Sequence, residues 1–127
     1  MNLYQNILET SFIFLFPFAL VKPENVQLAM NDSSVCQGDV LSLSCSADGN
    51  PAVEVYQLFE NDVLVSRSNG SPLVWRKTAS TGGVFAYRCV ADNFVGTASA
   101  TTNVTVNGKI IFNLCILVNC LTFNTKY

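Results

Sequence analysis

Histidine is absent from this 127-residue sequence, which removes the commonest general base and the commonest metal ligand found in proteins. Serine and threonine are plentiful, but they have no histidine to activate them, and no G-x-S-x-G nucleophile motif occurs. Solvated acids are the expectation for Glu60 and Asp62, because acids in turns ordinarily serve local hydrogen bonding, and a calcium site shared by the two is the alternative. We therefore expect a protein that is not an enzyme and that uses no cofactor and no metal.

Basic residues are also scarce. The chain has seven Lys and Arg against nine Asp and Glu, which gives a net charge of -2, and it has no basic cluster. A surface that follows nucleic-acid phosphates needs clustered Lys and Arg. No nucleic-acid partner is expected.

No hydrophobic run is long enough to cross a bilayer as a helix, which takes roughly 20 residues. The run from Phe12 to Val21 has the length of a signal-peptide core, although Pro17 interrupts it and Glu9 lies where positive charge is usual. We expect residues 1–22 to be a signal peptide or leader. The alternative is an arbitrary start of the gene model.

A second apolar run, from Ile110 to Phe123, lies in a C-terminal segment of different composition, residues 108–127. Three interpretations compete: an imperfect membrane anchor, a tail of the kind removed for lipid attachment, or an artefact of the gene model. Membrane association through this tail therefore stays open.

The cysteines form no CxxC pair, which does not favour a metal or thiol-redox site. The five are Cys36, Cys45, Cys89, Cys115 and Cys120. N-x-[ST] triplets, the acceptors of N-glycosylation, begin at Asn31, Asn69 and Asn103. These triplets favour an extracellular or cell-surface glycoprotein.

Short alternating segments make up the middle of the chain. In VLSLSCS, from Val40 to Ser46, the residues Leu41, Leu43 and Cys45 share one phase, as in a half-buried strand. Similar segments lie at 23–32, 53–61, 63–66, 73–77, 85–92 and 98–106. Turn signals such as DGNP at 48–51 separate them. Seven or eight short strands predict an all-β, two-sheet antiparallel sandwich over residues 23–107, with apolar flanks at both ends.

Cys45 and Cys89 each lie on the apolar phase of a predicted strand, 44 positions apart. Two inward cysteines on facing sheets can meet at the Cα separation that a disulfide needs, roughly 5.5–6 Å. Closing a loop of this length stabilises a domain by roughly 4 kcal/mol on the chain-entropy model. We expect these two residues to form one inter-sheet disulfide.

The ordered motifs resemble the immunoglobulin-like domains, of the I-set or C2-like type found in cell-surface adhesion and matrix proteins. Tyr87 precedes Cys89 by two residues, and CVADNFVG at 89–96 matches the family's C-x-A-x-N-x-x-G hairpin. LSLSC after Gly38, GNP at 49–51 and the closing TTNVTV occur in the family's order. The resemblance covers residues 23–106 and implies an immunoglobulin-like sandwich.

The chain departs from the family in its core. Leu58 stands at the place of the family's third-strand tryptophan when VYQLFEND is aligned with Y-x-W-Y-x-N-G. We predict that Trp75 supplies the missing bulk, in a core that also contains Leu43 and Tyr87. The alternative is a surface Trp75 that contacts a partner.

A second departure is the missing aspartate of the family's D-x-G-x-Y-x-C motif, which leaves Arg67 without an evident partner. Tyr87 is kept, and we expect it to form the tyrosine-corner hydrogen bond to the backbone.

Cys36 is additional to the family pattern. The family fold implies that it lies near residues 104–108. Whether it pairs with Cys115, with Cys120 or with a cysteine of another chain, or keeps its thiol, stays open.

The resemblance implies an extracellular module that binds protein ectodomains, homophilically or heterophilically, in recognition or cell adhesion. The outward residues of the third predicted strand, Val55, Gln57 and Phe59, are the candidate partner contacts, and Phe59 is the candidate anchor. Packing of Phe59 against a neighbouring strand is the alternative. Two other functions remain: a spacer repeat in a larger ectodomain, and a secreted immune-type binder.

Overall fold

A computed structural model describes residues 19–108, which form eight β-strands and no helix. The strands are β1 (Val21–Met30), β2 (Ser34–Cys36), β3 (Val40–Asn50), β4 (Val55–Glu60), β5 (Val63–Asn69), β6 (Leu73–Thr78), β7 (Gly83–Asn93) and β8 (Gly96–Asn107). They form a three-stranded sheet, in the order β1-β3-β6, and a five-stranded sheet, in the order β2-β8-β7-β4-β5. The predicted two-sheet all-β sandwich is confirmed.

One strand pair differs from the prediction of antiparallel sheets. β2 pairs in parallel with β8, and Cys36 lies opposite Asn107. The chain reaches β8 by leaving the first sheet after Met30 and crossing to the second, so β1 and β2 belong to different sheets. This crossing places Cys36 beside the last strand, as the resemblance implied.

The core lies between the sheets because each long strand alternates. Leu41, Leu43 and Cys45 of β3 are buried, and so are Tyr56 and Leu58 of β4. On β7 the buried apolar residues are Tyr87, Cys89 and Ala91, and the polar Asn93 is buried at its end. The other phase of β3 is mostly polar, whereas that of β4 and β7 mixes polar residues with partly or fully exposed apolar ones. Period-two burial on both sheets is what a sandwich requires.

The predicted disulfide is confirmed. Cys45 and Cys89 are bonded, with their Cα atoms 6.4 Å apart, and both are buried. Cys45 belongs to the three-stranded sheet and Cys89 to the five-stranded sheet. The bond therefore joins the two layers.

Several strands are longer than predicted. β1 begins at Val21, β3 continues through Gly49 to Asn50, and β5 extends to Asn69. The turn predicted for residues 48–51 lies later, at the cis peptide bond between Asn50 and Pro51. Pairing with a neighbouring strand outweighs the turn preference of single residues at these ends.

The hairpin between β4 and β5 was predicted correctly. Its two loop residues, Asn61 and Asp62, have φ angles of 49° and 68°. Asn and Asp tolerate this left-handed conformation, which two-residue hairpin loops require. The tight loop places β5 directly beside β4.

The predicted leader and tail, with Cys115 and Cys120, lie outside residues 19–108. Within the described part, no helix is long and apolar enough to cross a membrane.

Candidate protein-binding face

The outer face of the five-stranded sheet displays all three partner-contact residues predicted on β4. Val55, Gln57 and Phe59 alternate with the buried Tyr56 and Leu58, and each is partly exposed. On β7 their cross-strand neighbours are Asp92, Val90 and Arg88, in that order. We call the five residues Val55, Gln57, Phe59, Arg88 and Val90 the Phe59 face.

Phe59 and Arg88 form the centre of this face. The guanidinium carbon of Arg88 lies 4.6 Å from the centroid of the Phe59 ring. Arg88 Nη2 also lies 3.6 Å from Asp62 Oδ1, although the Asp62 side chain is 92% exposed. The cation lies over the ring face at a distance typical of a cation–π contact. Phe59 is thus partly covered by the neighbouring strand β7, and it remains partly exposed. Both descriptions offered by the sequence, a contact residue and a residue packed on a neighbour, apply in part.

The rim of the Phe59 face is mostly polar, although the half-exposed Leu64 of β5 lies directly opposite Phe59. Arg67 on β5 lies opposite Gln57, and Asn69 lies opposite Val55. On the other side, β8 contributes the exposed residues Thr97, Ser99 and Thr101. Acidic and basic groups are both present, so the face carries little net charge. An aromatic–arginine centre with a polar rim is the usual anatomy of a protein interface.

The outer face of the three-stranded sheet differs. Its exposed residues include Ser44 and Ser46 on β3 and Val74, Arg76 and Thr78 on β6. No aromatic side chain projects from β3 or β6 on this side. Val74 is 64% exposed and makes a suitable control position.

Trp75 lies on the inward phase of β6 and is partly buried against the core. Its ring centroid is 5.8 Å from that of Tyr87. On β3, Trp75 lies opposite Leu43, whereas Leu73 lies opposite Cys45. Leu58 is fully buried opposite Cys89. Trp75 therefore packs into the core two residues along β6 from Leu73, which lies opposite Cys45. Leu58 and Leu73 are the residues beside the bonded cysteines.

The structure corrects the prediction for Tyr87. Its hydroxyl donates to Glu60 Oε2 at 2.6 Å, not to the backbone. A hydroxyl bond to the backbone comes instead from Tyr56, which donates to the oxygen of Ala47 at 3.3 Å and accepts from its nitrogen at 3.1 Å.

The structure also corrects the expectation that Glu60 is a solvated turn acid. Its side chain is only 16% exposed and accepts from Lys77 Nζ at 2.9 Å. Burial alone would raise the pKa of Glu60, but hydrogen bonds from Tyr87 and Lys77, and the charge of Lys77, lower it below 4.5. Burial, followed by the bond to Glu60, raises the pKa of Tyr87. Asp62 points away towards Arg88, so the two acids do not converge on one cation.

Arg67 has a neutral partner where the family has an acid. Its Nε donates to Asn69 Oδ1 at 3.3 Å. The cluster of Glu60, Lys77 and Tyr87 contains a part-buried ion pair instead.

The exposed hairpin tip is the feature that sequence reasoning missed. Phe94 is 67% exposed and Val95 is 41% exposed, between β7 and β8. The sequence did contain an indication of this exposure. The two residues lie inside the N-x-x-G turn, between the strands, where strand alternation does not direct a side chain into the core. Phe94, and not Phe59, is the most exposed aromatic of residues 19–108.

The three predicted glycosylation sites occupy different environments. Asn31 uses both side-chain atoms to hold β3, since Nδ2 donates to Val40 O at 3.1 Å and Oδ1 accepts from Ser42 N at 3.0 Å. Asn69 and Asn103 are exposed on the outer face of the five-stranded sheet. Within residues 19–108 there is no group of three or more Cys, Asp or Glu placed to hold a metal.

The model of a known family matches this chain. Residues 24–106 fit the family described as the immunoglobulin domain. The matched segment coincides with the eight-stranded sandwich. No curated protein matched the chain.

Solved structures agree on the fold. The chain is similar to the N-terminal Ig1-2 module of Drosophila receptor protein tyrosine phosphatase DLAR, with 24% identity and a TM-score of 0.56 over 72% of this chain and 53% of that one. It is similar to a chimeric titin Z1Z2, with 22% identity and a TM-score of 0.57 over 72% of this chain and 100% of that one. The PKD domain of the human VPS10 domain-containing receptor SorCS2 shows 19% identity and a TM-score of 0.59 over 75% of this chain and 82% of that one. At these identities the likeness establishes the fold alone.

Proposed function

Because this chain belongs to the immunoglobulin domain family, we propose that it is a non-catalytic recognition module that binds a protein ectodomain, of a second copy or of another protein, through the Phe59 face. Immunoglobulin-like domains commonly mediate protein–protein interaction and are generally not catalytic. The specific choice of face rests on one observation, the Phe59–Arg88 pair at the centre of a sheet surface that mixes polar and apolar side chains.

Three physical properties make this pair a suitable anchor. An aromatic ring and a guanidinium supply large contact areas, and Phe and Arg are both enriched at protein interfaces relative to the rest of the surface. Each is already restricted by the other, which lowers the entropy lost on binding. Both lie on paired strands near the middle of a sheet, so the backbone beneath them is rigid.

The proposed compartment is extracellular or cell-surface. The Cys45–Cys89 disulfide supports it, since such bonds persist in oxidising environments. The three N-x-[ST] triplets add support from the sequence. Retention in a membrane fraction would support an anchored receptor, and recovery from the medium would support a secreted binder.

Phe59→Asp tests the proposal in a cell- or bead-aggregation assay that uses the full chain. Val74→Asp is the matched control, because it places the same charge on an exposed valine of the opposite sheet. We expect Phe59→Asp to reduce aggregation and Val74→Asp to leave it near the wild-type level. Circular dichroism and urea unfolding establish that both variants remain folded.

Equal aggregation by wild type and a folded Phe59→Asp variant would contradict the role of this face. A reduction by both variants would also count against it, because added charge anywhere on the sandwich would then have the same effect.

A spacer role is the second candidate, and the chain path favours it. Asn50 Nδ2 donates to Ala19 O at 3.1 Å, so the described chain enters beside the start of β4 and the tip of β7. It leaves near Gly82, at the other end of β7. Entry and exit at opposite poles suit a domain placed in a row with others. A spacer predicts that changes to the Phe59 face leave partner binding by the larger ectodomain intact.

A further inference from the structure

We infer that Asn69 and Asn103 carry N-linked glycans that flank the Phe59 face at opposite corners and restrict what can reach its centre. The inference deepens the proposed function and rests on it for its biological meaning. Its test needs no partner, so the two can fail separately.

The first step is the accessibility of the two side chains. Asn69 is exposed, and its only side-chain hydrogen bond in residues 19–108 is through Oδ1, which accepts from Arg67. Its Nδ2, the atom that would carry a sugar, makes none. Asn103 is exposed and makes no side-chain hydrogen bond within the described residues. Both N-x-[ST] triplets are thus open to modification without loss of a native contact.

Asn31 is not part of the inference, because its amide has a structural role. Nδ2 lies 3.1 Å from Val40 O, and Oδ1 receives the backbone N–H of Ser42. A sugar on Nδ2 would lie against β3 at this pair of bonds.

The second step is the position of the two sites on the sheet. Asn69 lies on β5 opposite Val55, at one end of the Phe59 face. Asn103 lies on β8 opposite Ala86, beyond the other end. Strand separations of about 4.8 Å and rises of about 3.3 Å per residue place the two asparagines about 14 Å and 12 Å from Phe59. The ring therefore lies between them, on the diagonal.

The third step is the consequence for access. N-linked glycans are bulky, solvated surface groups. Two of them at these corners would hinder the approach of a broad, flat partner surface to Phe59 more than the approach of a loop or a single strand edge. Glycan occupancy would then set which proteins can contact Phe59.

Occupancy is tested by breaking each triplet at its third residue, which leaves the asparagine unchanged. Ser71→Ala removes the site at Asn69, Thr105→Ala removes the site at Asn103, and Ser33→Ala removes the site at Asn31. The full chain is produced in cells that glycosylate secreted proteins, and its mass is measured. We expect Ser71→Ala and Thr105→Ala each to lose the mass of one glycan. If either variant keeps the wild-type mass, the inference is overturned.

Shielding is tested with a thiol placed within the Phe59 face. Gln57→Cys, in the Ser33→Ala background, is labelled with N-ethylmaleimide and with a maleimide on a long polymer. Val74→Cys on the opposite sheet is the control. We expect combined loss of both glycans to speed polymer labelling at residue 57 several-fold, with little change for the small reagent or for residue 74.

An unchanged polymer rate at residue 57, with both glycans shown to be present, overturns the shielding. An equal increase at residue 74 also overturns it, because the effect would then not be local to this face. Neither result bears on whether Phe59 binds a partner, which the aggregation assay measures.

Discussion

At the scale of single residues, the environment of Glu60 is decided by its hydrogen-bond partners and not by its place in the sequence next to a turn. It ends β4 and lies next to a two-residue loop, where a carboxylate is ordinarily solvated. In the folded chain it accepts from the Tyr87 hydroxyl and from Lys77 Nζ, at 2.6 and 2.9 Å. Lys77 also lies 5.4 Å from the centroid of the Phe85 ring. Glu60 thus links the two sheets through charge-assisted bonds.

Replacing Glu60 with Gln should lower the free energy of unfolding by about 1–3 kcal/mol, the usual effect of weakening hydrogen bonds to a buried charged group. Urea unfolding at neutral pH measures it. Glu24→Gln is the matched control, because Glu24 is exposed on β1. A loss no larger than that of the control would show that the cluster adds nothing to stability.

The same carboxylate should give the protein a specific acid response. The pKa of Glu60 is lower in the folded chain than its ordinary 4.5, so its stabilisation is complete above 4.5 and is lost as the pH falls through the folded value. The pKa of Tyr87 is raised above 10, so its contribution is lost only at higher, alkaline pH. Unfolding measured from pH 7 to pH 3 should therefore depend less steeply on pH in Glu60→Gln than in the wild type.

At the scale of elements, the β7–β8 hairpin holds one pole of the sandwich through a single side chain. Asn93 is 3% exposed. Its Nδ2 donates to Val21 O at 2.9 Å and to Pro51 O at 2.8 Å. Its Oδ1 accepts from the N–H groups of Val95 and Gly96 at 3.0 and 3.2 Å. One amide thus ties the start of β1 and the β3–β4 loop to the hairpin.

Asn93→Asp should destabilise the protein by about 2–4 kcal/mol, because an oxygen would replace the donor that faces two carbonyl oxygens. Thermal and urea unfolding measure the loss. Asn103→Asp, in protein made without glycans, is the control, since Asn103 is exposed on the neighbouring strand. Similar stability in the two variants would mean that the four bonds of Asn93 are dispensable.

At the scale of the whole molecule, the disulfide is the covalent link between the two sheets. Cys45 and Cys89 are separated by 44 residues and are fully buried. The loop that they close contains β4, β5 and β6. Reduction would free this whole stretch in the unfolded chain but would change little in the folded one. The effect on stability should therefore arise mainly in the unfolded state.

Joint replacement of Cys45 with Val and Cys89 with Ala should lower the free energy of unfolding by about 4 kcal/mol. This pair of changes leaves small apolar side chains in the core, so the loss of packing is kept low. Urea unfolding under oxidising conditions measures the difference. A loss below about 1 kcal/mol would contradict the loop-closure account, which predicts a large effect for a loop of this length.

The sequence by itself determined the architecture, because alternation and turn residues act locally and repeat along the chain. LSLSC predicted an inward cysteine on β3, and FAYRC predicted its partner on β7. Asn61 and Asp62 predicted the tight loop between β4 and β5. Alternation along β4 also placed Val55, Gln57 and Phe59 together on one face, opposite in phase to the buried Leu58.

Only the tertiary structure decided which side chains meet across strands and between sheets. The cover of Arg88 over Phe59, the bond from Tyr87 to Glu60 and the two-sided hold of Asn93 all join residues from distant parts of the sequence. Strand register sets such pairs, and a shift of one residue would send each side chain to the other face. Register is a property of the assembled sheets. Local patterns therefore predicted which face of a strand each side chain occupies, but not which side chain of another strand it contacts.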